Sequence, residues 1–513
     1  MNKPIKFFQS KSKLLHQYLI TSMQENYKKY FLWIILSATI KVIFYFILIY
    51  PNLEKSEHIG PFILSNDHSE YISPTDNLID KGIYSLNKKN ESYAGRLPGF
   101  IFPYILFRVF FNAKVSGFLL GIFIFLMACI SNYLACLLSY KISKSYYAFI
   151  FTFLFLNILP YFFFWDFILH PYSLAFSVLV LALYFLDLFV NDFKRLTMLL
   201  LSGLTFTWLF MLRGYTVFFI PIVFFFLVYY LRRKGMKIRL LALFVYFLPL
   251  LFFESLWVLR NYMVFDKFIP LQTDFINIQD SKNSSYTLRS PTKFSMLKLR
   301  ELIDCWGGDN FWYFKHSDMS WFFTRDSTID MDDYFNHDIY FTGFSKDTLI
   351  ELKKDVLYSY LPTTNGKLSD SIEQRIINKS VRLKKSFKEN RKFYYWVKAP
   401  VYRLKNFLLK NPTQDWPTTS FNESNLFIKF LKIFSFSQYY CILLLSLFFF
   451  FIKRKSTYQK LYVLMALSVV FVFTFMINAT HYSYFSYSFL LLVLVASMTI
   501  SEIFEGVFKN KFS

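Results

Sequence analysis

Apolar residues run along this chain in blocks too long for the core of a soluble domain. A bilayer crossing takes about 20 mostly apolar helical residues. Ten segments of that kind stand out: Phe31–Tyr50, Val115–Ser139, Tyr146–Phe164, Tyr172–Val190, Leu196–Leu212, Tyr215–Leu231, Leu240–Val258, Phe427–Ile452, Leu461–Ile477 and Tyr484–Ile503. The stretch Phe100–Tyr140 is too long for one crossing, and Asn112-Ala113-Lys114 interrupts it just after Arg108. Pro98–Phe111 therefore reads as a helix lying at the interface. The pattern predicts an α-helical polytopic membrane protein with about ten transmembrane helices. Residues 1–258 form an N-terminal transmembrane module with a first polar loop over 51–114. A mixed, mostly helical polar domain follows over 259–426, and the last helices lie in 427–513.

Composition sharpens the class. The chain is 55% hydrophobic and only 18% charged, against roughly 25% charged in soluble proteins. That excludes a soluble enzyme, a disordered chain and a nucleic-acid binder. The net charge of +23 is then a matter of membrane surfaces, because Lys and Arg gather in cytoplasmic loops and at headgroups. Cations crowd the N-terminal tail and alternate connections, such as Arg232-Arg233-Lys234 and Lys453-Arg454-Lys455. Both termini are accordingly expected in the cytoplasm, with the loop 51–97 and the long segment 260–426 on the outer side. No small-residue cleavage site follows the first span, which is expected to be retained. Cys129, Cys136 and Cys441 lie in apolar runs, leaving Cys305 alone in the polar segment without a disulfide or zinc framework. Ser371–Pro412 is cationic with interleaved aromatics and reads as an amphipathic helix on the membrane surface.

Chemistry concentrates in the first loop, Ser65-Asn66-Asp67-His68-Ser69-Glu70-Tyr71. If Asp67 opens a helix, Glu70 and Tyr71 follow on the same face. Such carboxylates could serve as general base for an acceptor hydroxyl or amine, or hold a divalent cation; a solvated turn capped by Asp67 is the plainer reading of the spacing alone. Gly82 reads as a helix stop, and Arg96 stands at the level of a lipid phosphate, where ordinary snorkelling is an equal alternative. Asp166, His170, Arg213, Glu254, Arg260 and His481 all fall at the same ends of spans. Arg213 interrupts an otherwise apolar stretch, where a cation is expensive unless paired or lining a polar cavity. So many polar groups at one level point to a shared cavity. No phosphate loop, HExxH, CxxC or GxSxG element is present, and no metal-ligand spacing surrounds His68.

Taken in order, these elements resemble the bacterial GT-C glycosyltransferases of the protein O-mannosyltransferase and lipid A aminoarabinose transferase superfamily. The resemblance rests on Asp67, Tyr71, Gly82-Ile83-Tyr84 and Arg96-Leu97-Pro98-Gly99 in the first loop. Gly203 with Leu212-Arg213, then Trp257-Val258-Leu259-Arg260-Asn261-Tyr262 with Pro270-Leu271, continue it; Trp396–Tyr402 matches loosely. It implies inverting transfer of a sugar from a polyprenyl-phosphate donor to a glycolipid, glycan or protein acceptor at the outer face of the membrane. By position Asp67 is the carboxylate base, with Glu70 and Asp166 as further choices. Arg96, Arg213 and Arg260, with Tyr71 and His170, become the lipid-phosphate and substrate contacts. No cofactor is implied and a divalent cation lacks spacing support; the partners are the lipid-linked donor, the acceptor and membrane lipids. The chain departs from the family where His68-Ser69 follow Asp67 in place of a second acid, where Gly214 replaces a Pro, and where Thr480–Ser483 lacks a common Arg. Two other readings are an O-antigen ligase or polymerase, and a lipid-linked sugar flippase. The first would not be expected to pair the first-loop and Trp-Arg-Asn elements. The second should carry internal repeats and broken spans at mid-membrane, and no repeat is evident.

Overall fold

A computed structural model describes residues 27–65, 68–86, 94–266, 268–271, 294–305, 340–360, 366–409, 421–422, 424–451, 456–476 and 482–510. Among them seven helices are long and apolar enough to cross a membrane: Tyr30–Glu54, Ala113–Ser143, Pro171–Asn191, Met236–Phe265, Leu426–Phe451, Thr457–Met476 and Tyr484–Glu505. The bent pair Tyr146–Ile158 and Tyr161–Phe167, turned by 59°, would make an eighth. The expected ten is thus not reached by length, and the reason is local. Leu196–Leu212 and Gly214–Tyr230 are shorter apolar helices, separated because Arg213 takes an extended conformation (φ −148°, ψ 101°). The bend in the third expected span has a similar cause: Leu159 is extended (ψ 116°) ahead of Pro160, as residues before proline are pushed to be.

In chain order the helices are α1 (Tyr27–Phe44), α2 (His68–Lys81), α3 (Ile101–Arg108), α4 (Ala113–Ser143), α5 (Tyr146–Ile158), α6 (Pro160–Phe163), α7 (Pro171–Asn191), α8 (Leu196–Leu212), α9 (Phe219–Tyr230) and α10 (Met236–Phe265). Then come α11 (Phe294–Asp304), α12 (Lys346–Tyr360), α13 (Gly366–Asn390), α14 (Ala399–Leu409), α15 (Leu426–Phe448), α16 (Thr457–Phe471) and α17 (Tyr482–Asn510). Buried residues make up 78% of the apolar window in α7 and 72% in that of α17, against 22% in α10, so α7 and α17 form the centre. The rim of α10 shows Leu240, Phe244, Leu251 and Phe252 exposed, an all-round apolar helix suited to lipid.

The first loop is built on this bundle. A tight hairpin, β1 (His58–Ile59) and β2 (Phe62–Leu64), turns at Gly60, whose φ of +59° favours glycine. Strand β2 then pairs in parallel with β3 (Ile168–Leu169), matching Ile63 to Ile168 and Leu64 to Leu169. Helix α2 stops at Gly82 (φ +73°), whose N–H donates to the Leu78 carbonyl. Pro98 opens a short 3-10 turn, Pro98–Phe100, that runs into α3, where the interfacial helix was expected. Arg108 at the end of α3 ties it to α2: Nε donates to Asp76 (2.8 Å) and Nη2 to Asp80 (2.7 Å), while Tyr104 Oη donates to Asp76 (2.9 Å). Burial works against charge on Arg108, but the two carboxylates outweigh it and its pKa is raised.

The basic segment 371–412 opens on α13, which buries Ile372, Ile376, Leu383 and Phe387 in one core with Leu299, Leu302 and Ile303 of α11 and Leu349, Leu352 and Val356 of α12. Its cations meet acids on those helices, Lys384 with Glu301 (3.0 Å) and Lys379 with Asp355 (2.9 Å). Amphipathicity announces an apolar face but not what covers it, and here neighbouring helices do. Beyond α13, Phe393, Trp396 and Val401 stay exposed. Cys305 belongs to the same core, and all four cysteines are free.

Candidate active site

The site starts from two backbone events. At the end of α8 the chain extends at Arg213, and Thr216 closes the break by donating both its N–H and its hydroxyl to the Arg213 carbonyl (2.9 Å each). Across this break lies Arg96-Leu97-Pro98-Gly99. A Cβ on Gly99 would stand 2.3 Å from the backbone of Met211 and Leu212, so only glycine permits the approach. Trp208 Nε1 donates to the Gly99 carbonyl (2.8 Å) and fixes it.

This contact brings two arginines to one ring. The guanidinium carbons of Arg96 and Arg213 lie 5.2 and 5.5 Å from the Tyr71 ring centroid. Tyr71 is buried in the first turns of α2, edge-on to Phe100 and His170. Arg213 Nη1 donates to Tyr71 Oη (2.8 Å), and Nη2 to His170 Nδ1 (3.2 Å). His170 caps α7 and accepts the Tyr172 N–H at Nδ1 (3.1 Å), so the ring serves as an acceptor. The guanidinium also rests on Tyr172, 3.8 Å from its centroid. Its Nε–H is buried without a hydrogen-bond partner among the described residues, and such a donor calls for an explanation. Arg96 in turn pairs with Glu70 at 2.5 Å.

Four further aromatics complete the floor. Tyr172 meets Tyr487 (5.7 Å), Tyr215 meets Tyr484 and Tyr487 (5.7 and 5.6 Å), and Tyr484 stacks on Phe473 (4.4 Å). Sequence reasoning missed these residues. A signal was present in the three-residue spacing of Tyr484 and Tyr487, which puts both on one face of α17.

The other sequence-derived candidates fall elsewhere. Asp67 lies outside the described residues, as does His481. Of the residues flanking Asp67, Ser65 donates to the Leu169 carbonyl (3.3 Å) beside His170, and His68 opens α2. Asp166 is buried and pairs with Lys41 of α1. Arg260 forms a second node: its guanidinium lies 5.2–5.4 Å from the rings of Tyr84, Trp257 and Phe265, and Nη1 donates to Asn261 (2.8 Å). The Gly-x-Tyr and Trp-x-x-Arg-Asn elements therefore meet each other. Asn261 and Trp257 donate to the carbonyls of Ile269 and Leu271 (3.0 and 3.2 Å), closing the turn after α10. Burial pushes the Tyr84 phenol up, against the pull of Arg260. Among the described residues no group of three His, Cys, Asp or Glu side chains could hold a metal ion.

No family model and no curated protein matches the chain. Two solved structures are similar to it. ArnT from Cupriavidus metallidurans in the apo state is 13% identical, with 92% of this chain and 78% of that chain covered and a TM-score of 0.35. The same protein bound to undecaprenyl phosphate is 13% identical, with 92% and 79% covered and a TM-score of 0.34.

Proposed function

We propose that this protein is a membrane glycosyltransferase that moves a sugar from a polyprenyl-phosphate donor to an acceptor hydroxyl or amine at the outer face of the membrane, with inversion. The observation that carries this reading is the Tyr71 ring flanked by the guanidinium groups of Arg96 and Arg213. Two cations on one buried ring, with a donor of Arg213 still unengaged, suit a lipid phosphate whose negative charge grows as it departs. Preorganised donors in a site poor in water stabilise such charge most. The acceptor oxygen or nitrogen attacks the anomeric carbon; the bond from that carbon to the phosphate oxygen breaks, and its electron pair leaves with the phosphate. The acceptor proton passes to a carboxylate. Glu70 is already engaged by Arg96 and Asp166 by Lys41, which leaves Asp67, assigned by its place in the first loop, as the base. The tyrosine floor supplies ring faces for the first prenyl units or the sugar.

The test uses the purified full-length protein in lipid nanodiscs with a polyprenyl-phosphate sugar and a panel of acceptors. The mutant Asp67→Asn is expected to abolish transfer while still accumulating in the membrane. Full activity in that variant would remove the base assignment. Unchanged donor binding in Arg213→Met would remove the phosphate site itself. Glycolipid and glycoprotein mass spectrometry of a deletion strain would then identify sugar and acceptor through the missing product and the accumulated precursor.

A further inference from the structure

Of the ionic pairs that the proposed mechanism leaves unused, one is the most deeply placed of those described. Lys41 is 1% exposed in the first apolar span, and its ammonium meets the Asp166 carboxylate. A charge at that depth is costly unless paired, and replacing such a pair by apolar residues is often neutral or stabilising. Packing alone therefore gives no reason for it.

Its surroundings give one. Ser37, Lys41, Phe44 and Tyr45 recur at helical spacing along one face of α1 and its extension; Ser37 holds the end of α5 and the other three grip the bent segment after it. The Ser37 hydroxyl donates to Asn157 (2.5 Å). Phe44 stacks on Phe163 (5.2 Å) and Tyr45 meets Phe167 (4.8 Å). The gripped segment ends in β3 and delivers His170, the residue to which Arg213 donates. Trp165, next to Asp166, packs on both His170 (5.5 Å) and Tyr172 (5.2 Å). An apolar grip could slide by a turn and still bury its surface. A buried ion pair cannot, because any slip strands two charges.

We propose that Lys41 and Asp166 are positioning residues: their pair sets the register of the Trp165–His170 turn, and through His170 it aims the Arg213 guanidinium without touching substrate. This deepens the phosphate-site reading given above and rests on it for its functional consequence. The experiment compares Lys41→Met, Lys41→Arg, the double variant Lys41→Met/Asp166→Leu and Arg213→Met in the full chain in nanodiscs. Three quantities are read: thermal unfolding, affinity for undecaprenyl phosphate, and hydrogen–deuterium exchange over residues 165–173. The double variant is expected to unfold near the native temperature yet bind undecaprenyl phosphate about tenfold or more weakly, since small misplacements in a built site cost that much. Its exchange over 165–173 should rise, and Lys41→Arg should retain native binding and exchange. A stable double variant with native affinity and native exchange overturns the proposal and makes the pair purely structural. Should Lys41→Met fail to fold, the double and the Lys41→Arg variants carry the test. If Arg213→Met binds natively, the phosphate reading fails by itself, and the exchange over 165–173 still decides whether the pair sets the turn.

Discussion

Arg213 and Arg260 were drawn from the sequence for the same reason, a guanidinium at the end of an apolar span, and the molecule treats them differently. Arg213 is aimed: two of its nitrogens donate to Tyr71 and His170, its face rests on Tyr172, and its Nε–H stays unengaged. Arg260 is collared: three rings surround it, and its Nη1 donates to the adjacent Asn261. Directed hydrogen bonds fix a cation to within a fraction of an ångström, whereas ring faces hold it in a broad well. On the proposed reading the first arginine meets the ligand, while the second sits beside the turn that Asn261 and Trp257 close after α10.

Several substitutions would break or sharpen that contrast. Arg213→Met is expected to lower transfer about 10²-fold or more, the scale seen for lost charge-stabilising donors, as measured by turnover of a polyprenyl-phosphate sugar. Gly99→Ala acts on the backbone beneath it; the added methyl meets Met211 and Leu212 at 2.3 Å. Overpacking of this kind costs about 1–3 kcal/mol, and the thermal midpoint should fall along with activity. Arg260→Met should cost only about twofold to fivefold, in line with ring contacts worth about 0.5–1 kcal/mol; a loss equal to that of Arg213→Met would show that the collared cation also meets substrate. Tyr71→Phe removes one acceptor of Arg213, worth about 1 kcal/mol, and a donor-affinity loss of about fivefold is expected, while Tyr84→Phe should change it less.

The smallest expected effect lies away from both arginines, in the domain of α11 to α13. Burial raises the Glu301 carboxyl, but hydrogen bonds from Lys298 and Lys384 outweigh it and hold the group below its usual range. A carboxyl lowered on folding stabilises above its unfolded pKa, and that contribution is lost as pH falls through the lowered folded value. Thermal unfolding of Glu301→Gln should therefore converge on the native protein in acid and lie slightly below it near neutrality. Partial exposure keeps the gap small.

What could be read beforehand follows from which forces act locally. Long apolar runs are satisfied only in lipid or inside a bundle, so the expected spans returned as helices, Leu196–Leu212 with the bounds read from the sequence, while the third is bent at Pro160. Tyr71, Arg96, Arg213 and His170 were legible as a group because polar side chains near membrane ends need partners, and the structure joins them. The glycines of the recognised elements also gained reasons: Gly99 lies on the Leu212 backbone, and Gly203 lets α8 cross α10 at the Tyr246 carbonyl. Lys41 was not legible, since one cation in an apolar run reads as an interruption until its partner, far along the chain, is seen. Tyr172, Tyr215 and Tyr487 vanished among the 37 tyrosines. The partners of α13 were not legible, because the complementary faces of α11 and α12 are set by tertiary contact and not by its own pattern.

The parallel pairing of Ile63 with Ile168 and Leu64 with Leu169 bears on how the chain is made. The early hairpin waits for a strand synthesised long after it, once α4 and α5 have emerged, and Ser37 and Lys41 wait likewise for Asn157 and Asp166. Biogenesis must then hold the opening segment uncommitted until the chain has passed Asp166 and Leu169, so truncated nascent chains ending before Asp166 would carry an unmatched ammonium in their first apolar segment and become natural substrates for quality control.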